Sequence, residues 1–560
     1  MTDVLEGQVF VRVLDALLRE DHLGLDSVGE PAGDGWWQVR IPAGLLRIPI
    51  RPDGFQHTVR VVRPVVYLHP DSGQPYQVDR LESLLALLAP QEDPEAEAGW
   101  ADLVDECRAD LLARRLAEQA RPRVYASIAA RRAIDPTGMP GALLDEVVAA
   151  YAGHPVYPTD RCRHGLDAGQ LRAYAPEHAP TFQLRWLPTP RSGTRLPERL
   201  PPWWPVPDDP DTVLLPVHPL TAEQAGLPVI DRPAVEVRPT LSMRTVALAD
   251  DPYTHLKLPL PTATLGVRNR RTLKPDTLAD GAIMAGLLDR IAAAEPAFHG
   301  RVLHTDESRY GHHDGDELRA FLLRGYPPDL ADTVVIPVAA LAARDETGVT
   351  VAERVTGGDP VPLVESYLDL LLDWHVHLWL RHGIALEAHP QNLHLVVGPG
   401  GRLRLLYKDN DGARLDLRHS TLPVRDRRML VHDPGELADV FTTITLHLAA
   451  AAPLLALAGE GVDVPSPAAA LRPRLVAARD RWGGDQGRWA GGRDRPGGDQ
   501  SRWGGGPAAE LLTERLLATD RLPVKAMLTA GTLLPKQRLG CTDINKCYRR
   551  TGPNYLRVTV

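Results

Sequence analysis

Four residues, Gly398-Pro399-Gly400-Gly401, stand between two largely apolar runs, Leu393 to Val397 and Arg402 to Tyr407. Proline and three glycines cannot extend either run, so they turn the chain back and make the runs the strands of a hairpin. That hairpin fixes what meets at its open end. Asn392 comes opposite Asp409, with Glu387 just upstream in Glu387-Ala388-His389-Pro390-Gln391-Asn392 and Asp411 just downstream in Lys408-Asp409-Asn410-Asp411-Gly412. An amide oxygen beside carboxylates suits a Mg2+ ion carrying a nucleotide's phosphates. Protein kinases use an Asn and an Asp in this way. A capped turn with ordinary acidic residues is the competing reading.

Length and composition set the frame. A chain of 560 residues is too long for one core, so two to four domains are expected. Its hydrophobic fraction of 44% and charged fraction of 24% are those of a soluble globular protein. The net charge is -9 with no long basic stripe, which argues against nucleic acid as a partner. Arginine dominates the basic residues, and the six lysines (257, 274, 408, 525, 536 and 546) therefore carry more information than any arginine. Cys107, Cys162, Cys541 and Cys547 form no CxxC pair and no dense framework, which fits a reducing cytoplasm. Residues 1–20 show no signal-peptide pattern. The most apolar stretch, Val440 to Ala458, is broken by threonines, His447 and Pro453, and reads as buried helix rather than membrane span.

Along the chain, Trp36 to Ile50 and Thr58 to Leu68 read as strands, followed by a helix from Trp100 to about Glu118 with a 3.6-period apolar face. Pro136 to Pro140 breaks the chain before a new helix. Pro188 to Pro210 reads as an extended surface connector. Val361 to His382 is helical and stops at Gly383. The segment RDRWGGDQ at 479–486 recurs as RDRPGGDQ at 493–500, a Gly-rich polar repeat that reads as a disordered insertion over 479–507.

Two further stretches carry chemistry. Pro239 to Leu248 alternates like a strand with Ser242 and Arg244 on one face. A turn at 249–253 then returns Thr254 to Leu260, setting Lys257 opposite Thr245. Hydroxyls, a guanidinium and a rare ammonium in one place suit a triphosphate; a solvated sheet face is the alternative. Thr262, Thr264 and Arg268 follow on a loop, where Arg268 can fork onto a carboxylate. Upstream, Gly153 to Gly165 is held extended by two prolines and offers His154, Tyr157, Arg161 and Arg163 as donors to an anion. His218 reads as a structural loop histidine, and His375, His377 and His382 lack zinc spacing. There is no Walker A loop and no Rossmann fingerprint. His389 sits between Glu387 and Asn392, placed to act as imidazolium on developing charge or as imidazole on an attacking amine.

Taken in order, GHPVYPTDRCRHG (153–165), VHP (217–219), PTLSMRT (239–245), HLKLPL (255–260), EAHPQN (387–392), KDNDG (408–412) and PVKAML (523–528) resemble the IucA/IucC-like family of siderophore synthetases that work without a nonribosomal peptide template. The resemblance implies an α+β, multidomain thumb, fingers and palm architecture with antiparallel sheets and a helical C-terminal part. The thumb-like domain would span 1–135, the fingers-like domain 136–360 and the palm-like domain 361–560, with an end resembling ferric-siderophore reductases. It implies that His154, Arg163, Ser242, Arg244, Thr245, Lys257 and Gln391 bind ATP. Thr264, Arg268 and His389 would bind the acid; Glu387, Asn392, Asp409 and Asp411 would hold Mg2+; and His389, Arg268 and Lys257 would carry catalysis. The reaction implied is adenylation of a carboxylic acid, citrate or a citryl derivative favoured, and then condensation with an amine or alcohol, releasing AMP and pyrophosphate. A cytoplasmic homodimer without membrane or nucleic-acid partners is implied too. Tyr157 stands where the family usually has histidine, Arg161 where it has lysine, and Lys408 where it has arginine. A phosphotransferase releasing ADP, and a non-enzymatic iron or siderophore binder, are the competing functions.

Overall fold

The computed structural model describes residues 3–33, 35–231, 233–418, 422–484, 506–541 and 543–557, without the side chains of 549 and 550. The architecture is α+β with several antiparallel sheets and a helical C-terminal region. Near the N-terminus, helix Val4–Arg19 lies with a six-stranded antiparallel sheet whose longest hairpin pairs Trp36–Ile41 with Gly44–Pro52. Gly44 closes that hairpin at φ 136°, and a Cβ there would strike the His69 carbonyl, so only glycine fits.

The helix expected from Trp100 runs much further, from Pro94 to Arg132. Asp93 caps it by accepting the Ala96 N–H at 3.1 Å. Pro122 is tolerated inside it. Glu106, Asp110 and Arg114 repeat every fourth residue and so share one face. All three are buried, against the chain that follows. The Glu106 carboxylate alone accepts from Tyr157 (3.0 Å), Thr159 (2.8 Å), His164 (3.1 Å), Thr532 (2.6 Å) and the Val267 N–H (3.1 Å).

Helix Gly138–Ala152 is buried on nearly every side. A seven-stranded antiparallel sheet follows in the order 182–183, 236–239, 245–248, 254–257, 320–325, 306–313 and 194–195. Pro239 to Leu248 is not one strand. Glu236–Pro239 and Thr245–Leu248 are separate strands joined by a tight turn in which Met243 has φ 63°. The Thr245–Lys257 pairing stands as read from the sequence. The proline-rich stretch is no plain connector: Arg185–Pro190 pairs with Thr212–Val217, and Trp204 is buried with its indole N–H donated to Leu214.

The hairpin Leu393–Val397/Leu403–Tyr407 forms as its turn predicts. Two strands from earlier in the chain complete its sheet. Val302–His304 pairs in parallel with Leu403–Tyr407, and Val334–Pro337 antiparallel with Leu393–Val397. Helix Val361–His382 covers it and ends at Gly383 with φ 62°, where a left-handed residue is needed. Pro434–Gly459 is long and apolar enough to cross a membrane, yet 89% of its most apolar window is buried inside the protein. Helix Pro467–Trp482 enters the stretch expected to be an insertion and docks Trp482 onto Asp373. The remaining repeat, 485–505, lies outside the described residues. Cys541 and Cys547 form a disulfide, against the expectation of free thiols.

Glu106→Ala strips one acceptor from five donors at once. It should cost roughly 3–5 kcal/mol, read as a lowered midpoint of chemical unfolding. Glu106→Gln should lose less, since one oxygen remains. A loss within ~0.5 kcal/mol for both would mean that the carboxylate ties nothing.

Candidate active site

One cavity of about 290 Å³ gathers residues from several distant stretches of the chain. A second hollow between Pro188 and Ala234 is open, proline-lined and has only Asp208 and Asp209 as charged groups.

The first wall is the loop after Ala152. Gly153 turns it at φ 81°, and a Cβ there would strike the Asp160 carboxylate. Asp160 accepts the His154 N–H (2.6 Å), Arg12 (3.0 Å) and Arg114 (2.6 Å). Arg12, from the first helix, also donates to the carbonyls of His154 and Pro158. The loop is therefore pinned from outside. His154 Nδ1 accepts the N–H groups of Val156 and Tyr157, which leaves its proton on Nε2. Burial pushes its pKa down to about 3, so a neutral imidazole lines the cavity. Arg161 and Arg163 line it as well, although Arg163 is forked onto Glu177 at 2.8 Å. Tyr157 points away, to Glu106 and Thr532.

The second wall is the 240–244 turn. Ser242 Oγ accepts the Thr245 N–H at 3.1 Å, Leu241 donates its N–H to Glu146 at 2.7 Å, and Arg244 donates to the Thr272 carbonyl at 3.0 Å. Ser242 and Arg244 line the cavity, while Thr245 and Lys257 stand outside its lining. Lys257 spends its ammonium on Asp409 (2.6 Å) and Asp411 (3.5 Å).

The hairpin end forms the third wall. The Asn392 carbonyl accepts the Lys408 N–H at 3.0 Å, so Asp409 stands one residue beyond the position opposite Asn392. Asp409 adopts φ 60° and is gripped by Arg324 and Lys257. Burial raises its pKa, but those two cations hold its carboxyl far below the carboxylate range. Burial leaves Asp411 with a raised pKa and outside the lining. Glu387, His389, Gln391 and Asn392 all line the cavity. Burial opposes ionisation of Glu387, yet Lys546 at 3.3 Å and Lys525 bring its pKa down to about 2. His389 is pushed down to about 4 by burial, despite Glu387 nearby. Of the expected metal ligands, Glu387, Asn392 and Asp409 line the cavity; Asp411 does not, although it shares Lys257 with Asp409. Among the described residues no three His, Cys, Asp or Glu side chains cluster as a metal site. Two carboxylates and an amide still fit Mg2+, which takes few protein ligands beside phosphate and water.

The loop at 262–271 supplies a cation that sequence reasoning missed. Arg268 donates to the Thr532 carbonyl and stays out of the lining, while Thr264, Asn269 and Arg271 enter it. Arg271 donates to the Thr264 hydroxyl, and burial beside Arg244 lowers its pKa to about 9. Lys525 and Asn545 arrive from the C-terminal end, and burial beside Lys546 brings Lys525 to about 8. Lysine scarcity was the usable signal: Lys257, Lys408, Lys525 and Lys546 all lie in or immediately behind this site.

Residues 148–343 match the IucA / IucC family, and residues 363–465 match the ferric iron reductase FhuF-like transporter family. Staphyloferrin A synthase of Staphylococcus aureus is 30% identical over 190 residues, covering 32% of each chain. The rhizobactin siderophore biosynthesis protein RhbC of Rhizobium meliloti is 25% identical over 409 residues, covering 60% of this chain and 64% of its own. The chain thus spans from about a third to two thirds of the curated relatives it matches. The fold is shared with the aerobactin synthetase IucC of Klebsiella pneumoniae, at TM-score 0.67 and 20% identity over 99% of this chain and 98% of that one. It is shared equally with the petrobactin biosynthesis protein AsbB of Bacillus anthracis, at TM-score 0.69 and 14% identity over 99% and 95%.

Lys525 should acylate as a free amine with half-maximal reactivity near pH 8, because its ammonium form is unreactive. Pulsed labelling across pH 6–11 with mass spectrometry reads this. Glu387→Gln should shift the midpoint lower still, since it removes the carboxylate that favours the ammonium. A midpoint near the ordinary lysine value of 10.5 would place Lys525 in open water.

Proposed function

We propose, on the premise that this chain is homologous to the IucA/IucC family of siderophore synthetases and carries a FhuF-like C-terminal segment, that it is an ATP-dependent ligase joining a carboxylic acid to an amine or alcohol. The observation that carries this reading is the gathering, in one cavity, of two sets of cationic side chains, adjoining at Arg244 and Arg271, with an oxygen-rich corner. His154, Arg161, Ser242 and Arg244 form the first grip and would take the triphosphate, with Lys257 behind them and Gln391 beside the nucleotide. Glu387, Asn392 and Asp409 would hold Mg2+, which neutralises phosphate charge when bound. Thr264, Arg271 and Lys525 form the second grip and suit a carboxylate. Arg268 has its guanidinium on Thr532 in this structure, so the carboxylate role passes to Arg271.

In the first step a carboxylate oxygen bonds to the α-phosphorus of ATP, and pyrophosphate leaves with the electrons of the broken P–O bond. In the second the amine or alcohol adds to the acyl carbon and AMP leaves, giving an amide or ester. His389 is neutral at pH 7, which favours the imidazole that takes a proton from the nucleophile over an imidazolium. Positioning and fixed charge do the rest, with no covalent enzyme intermediate. Thr264, Arg271 and Lys525, beside the residues assigned to the triphosphate, give an acid a place to bind, which a ligase needs. An iron–sulfur reductase reading of the FhuF-like segment lacks thiolates, since only Cys541 and Cys547 lie in residues 361–560. Citrate or a citryl derivative remains the preferred acid, and the need for ATP places the enzyme in the cytoplasm.

Purified protein with Mg2+-ATP, a panel of carboxylic acids and hydroxylamine should yield AMP, pyrophosphate and a hydroxamate in an acid-dependent way. ADP as the product would move the assignment to a phosphotransferase. His389→Ala should cut kcat about 10²–10⁴-fold, whereas Arg271→Met should act mainly on KM for the acid. The pH profile follows from two shifts. His389 keeps its neutral form above about pH 4, so kcat should stay flat from pH 6 to 7.5. Lys525 loses its charge above about pH 8, so acid KM should climb there, and Lys525→Met should abolish that climb.

A further inference from the structure

Glu146, on helix Gly138–Ala152, is 2% exposed, and its two oxygens serve different motifs. Oε1 accepts from Lys408 Nζ at 2.8 Å, with His394 Nε2 at 3.4 Å. Oε2 accepts the backbone N–H of Leu241 at 2.7 Å. Lys408 in turn donates its own N–H to the Asn392 carbonyl and immediately precedes Asp409. One carboxylate therefore connects the first half of the 240–244 turn to the hairpin end that carries Asn392 and Asp409. Neither Glu146 nor Lys408 lines the cavity.

The turn needs such a tie. A non-glycine residue at positive φ costs on the order of 1–3 kcal/mol and persists only where its surroundings hold it, and Met243 sits at φ 63° between Ser242 and Arg244. Burial works against an ionised Glu146, yet Lys408 and His394 keep its carboxyl below the usual range. A buried ion pair is weak evidence for stability, and setting register is the best-attested use of one. We propose that the Glu146–Lys408 pair is a positioning device that sets the distance between the phosphate-gripping turn and the metal-gripping hairpin. The inference rests on the nucleotide reading above. It also gives Lys408 its role, as the cation that holds Glu146 Oε1 while Oε2 holds the Leu241 N–H.

The test uses the full chain with Lys408→Met, Lys408→Arg and Glu146→Gln, measuring MgATP binding by calorimetry, both KM values and amide exchange of peptides covering 239–245. Lys408→Met should raise KM for MgATP about 10–100-fold, the scale of a small misplacement at a reacting centre. Its KM for the acid should stay within about threefold, and Lys408→Arg should restore ATP affinity. Exchange over 239–245 should speed up in Lys408→Met, and Glu146→Gln should behave alike if Lys408→Met folds poorly. Folded variants with wild-type ATP affinity and unchanged exchange would overturn the proposal, as would parallel rises in both KM values with a fall in Tm. Wild-type protein that neither binds nor consumes MgATP would sink the nucleotide reading, while the exchange measurement, which needs no nucleotide, would still decide the coupling.

Discussion

A single buried carboxylate, that of Glu106, receives donors from three separate segments of the chain. Each bond contributes only about 1 kcal/mol net, but their convergence matters more than their sum. Tyr157, Thr159 and His164 belong to the loop that presents His154. Val267 belongs to the loop that presents Arg271, and Thr532 to the segment that presents Lys525 and Met527. The segments that present His154, Arg271 and Lys525 are therefore fixed against one point on the long N-terminal helix. Asp160 repeats the device one layer out through Arg12 and Arg114. The N-terminal region, without side chains in the cavity, decides where the cavity's side chains stand.

The charges in the cavity are arranged so that none stands alone. Arg324 and Lys257 keep Asp409 ionised; Lys546 and Lys525 keep Glu387 ionised. Burial, and then the nearby Arg244, depress Arg271, while Asp409 and Glu387 partly offset them. A site built this way holds both signs before any ligand arrives. It presents fixed dipoles and charges to a polyanion and pays little reorganisation when charge moves. His154 and His389 are the neutral members of the set, each desolvated enough to stay imidazole among cations.

Most of the elements that carry the site were legible in the sequence, because turn chemistry and periodicity specify them locally. The Gly-Pro-Gly-Gly turn gave the 393–407 hairpin, Gly383 gave the end of the 361–382 helix, and the 249–253 turn gave the Thr245–Lys257 pair. The match of residues 148–343 to the IucA / IucC family was foreshadowed by the ordered motifs as well. The 240–244 turn was not, since Thr-Leu-Ser-Met-Arg alternates like a strand and no glycine marks the positive φ of Met243. Arg268 and Arg271 could not be ranked, because the choice depends on an Ala263–Arg270 bridge and on Thr532, more than 260 residues away. Glu106, Asp110 and Arg114 drew no reading from the sequence. Their burial comes from chain that the helix itself does not predict. The Trp203-Trp204 pair inside the proline stretch was a signal of burial that the prolines masked.

The sheet under the hairpin joins the two family-matched segments. Val302–His304 and Val334–Pro337 come from the segment matched to one family, Leu393–Val397 and Leu403–Tyr407 from the other. Without its flanking strands the 393–407 hairpin would expose two unpaired edges, a liability for any isolated piece. Asn392 and Asp409 ride on the end of that hairpin, whereas Ser242 and Arg244 ride on a sheet built wholly from the earlier segment. A chemistry that needs both sets therefore needs both segments folded as one body. Glu146, two residues before the first matched segment, pairs with Lys408 of the second and so ties the two together.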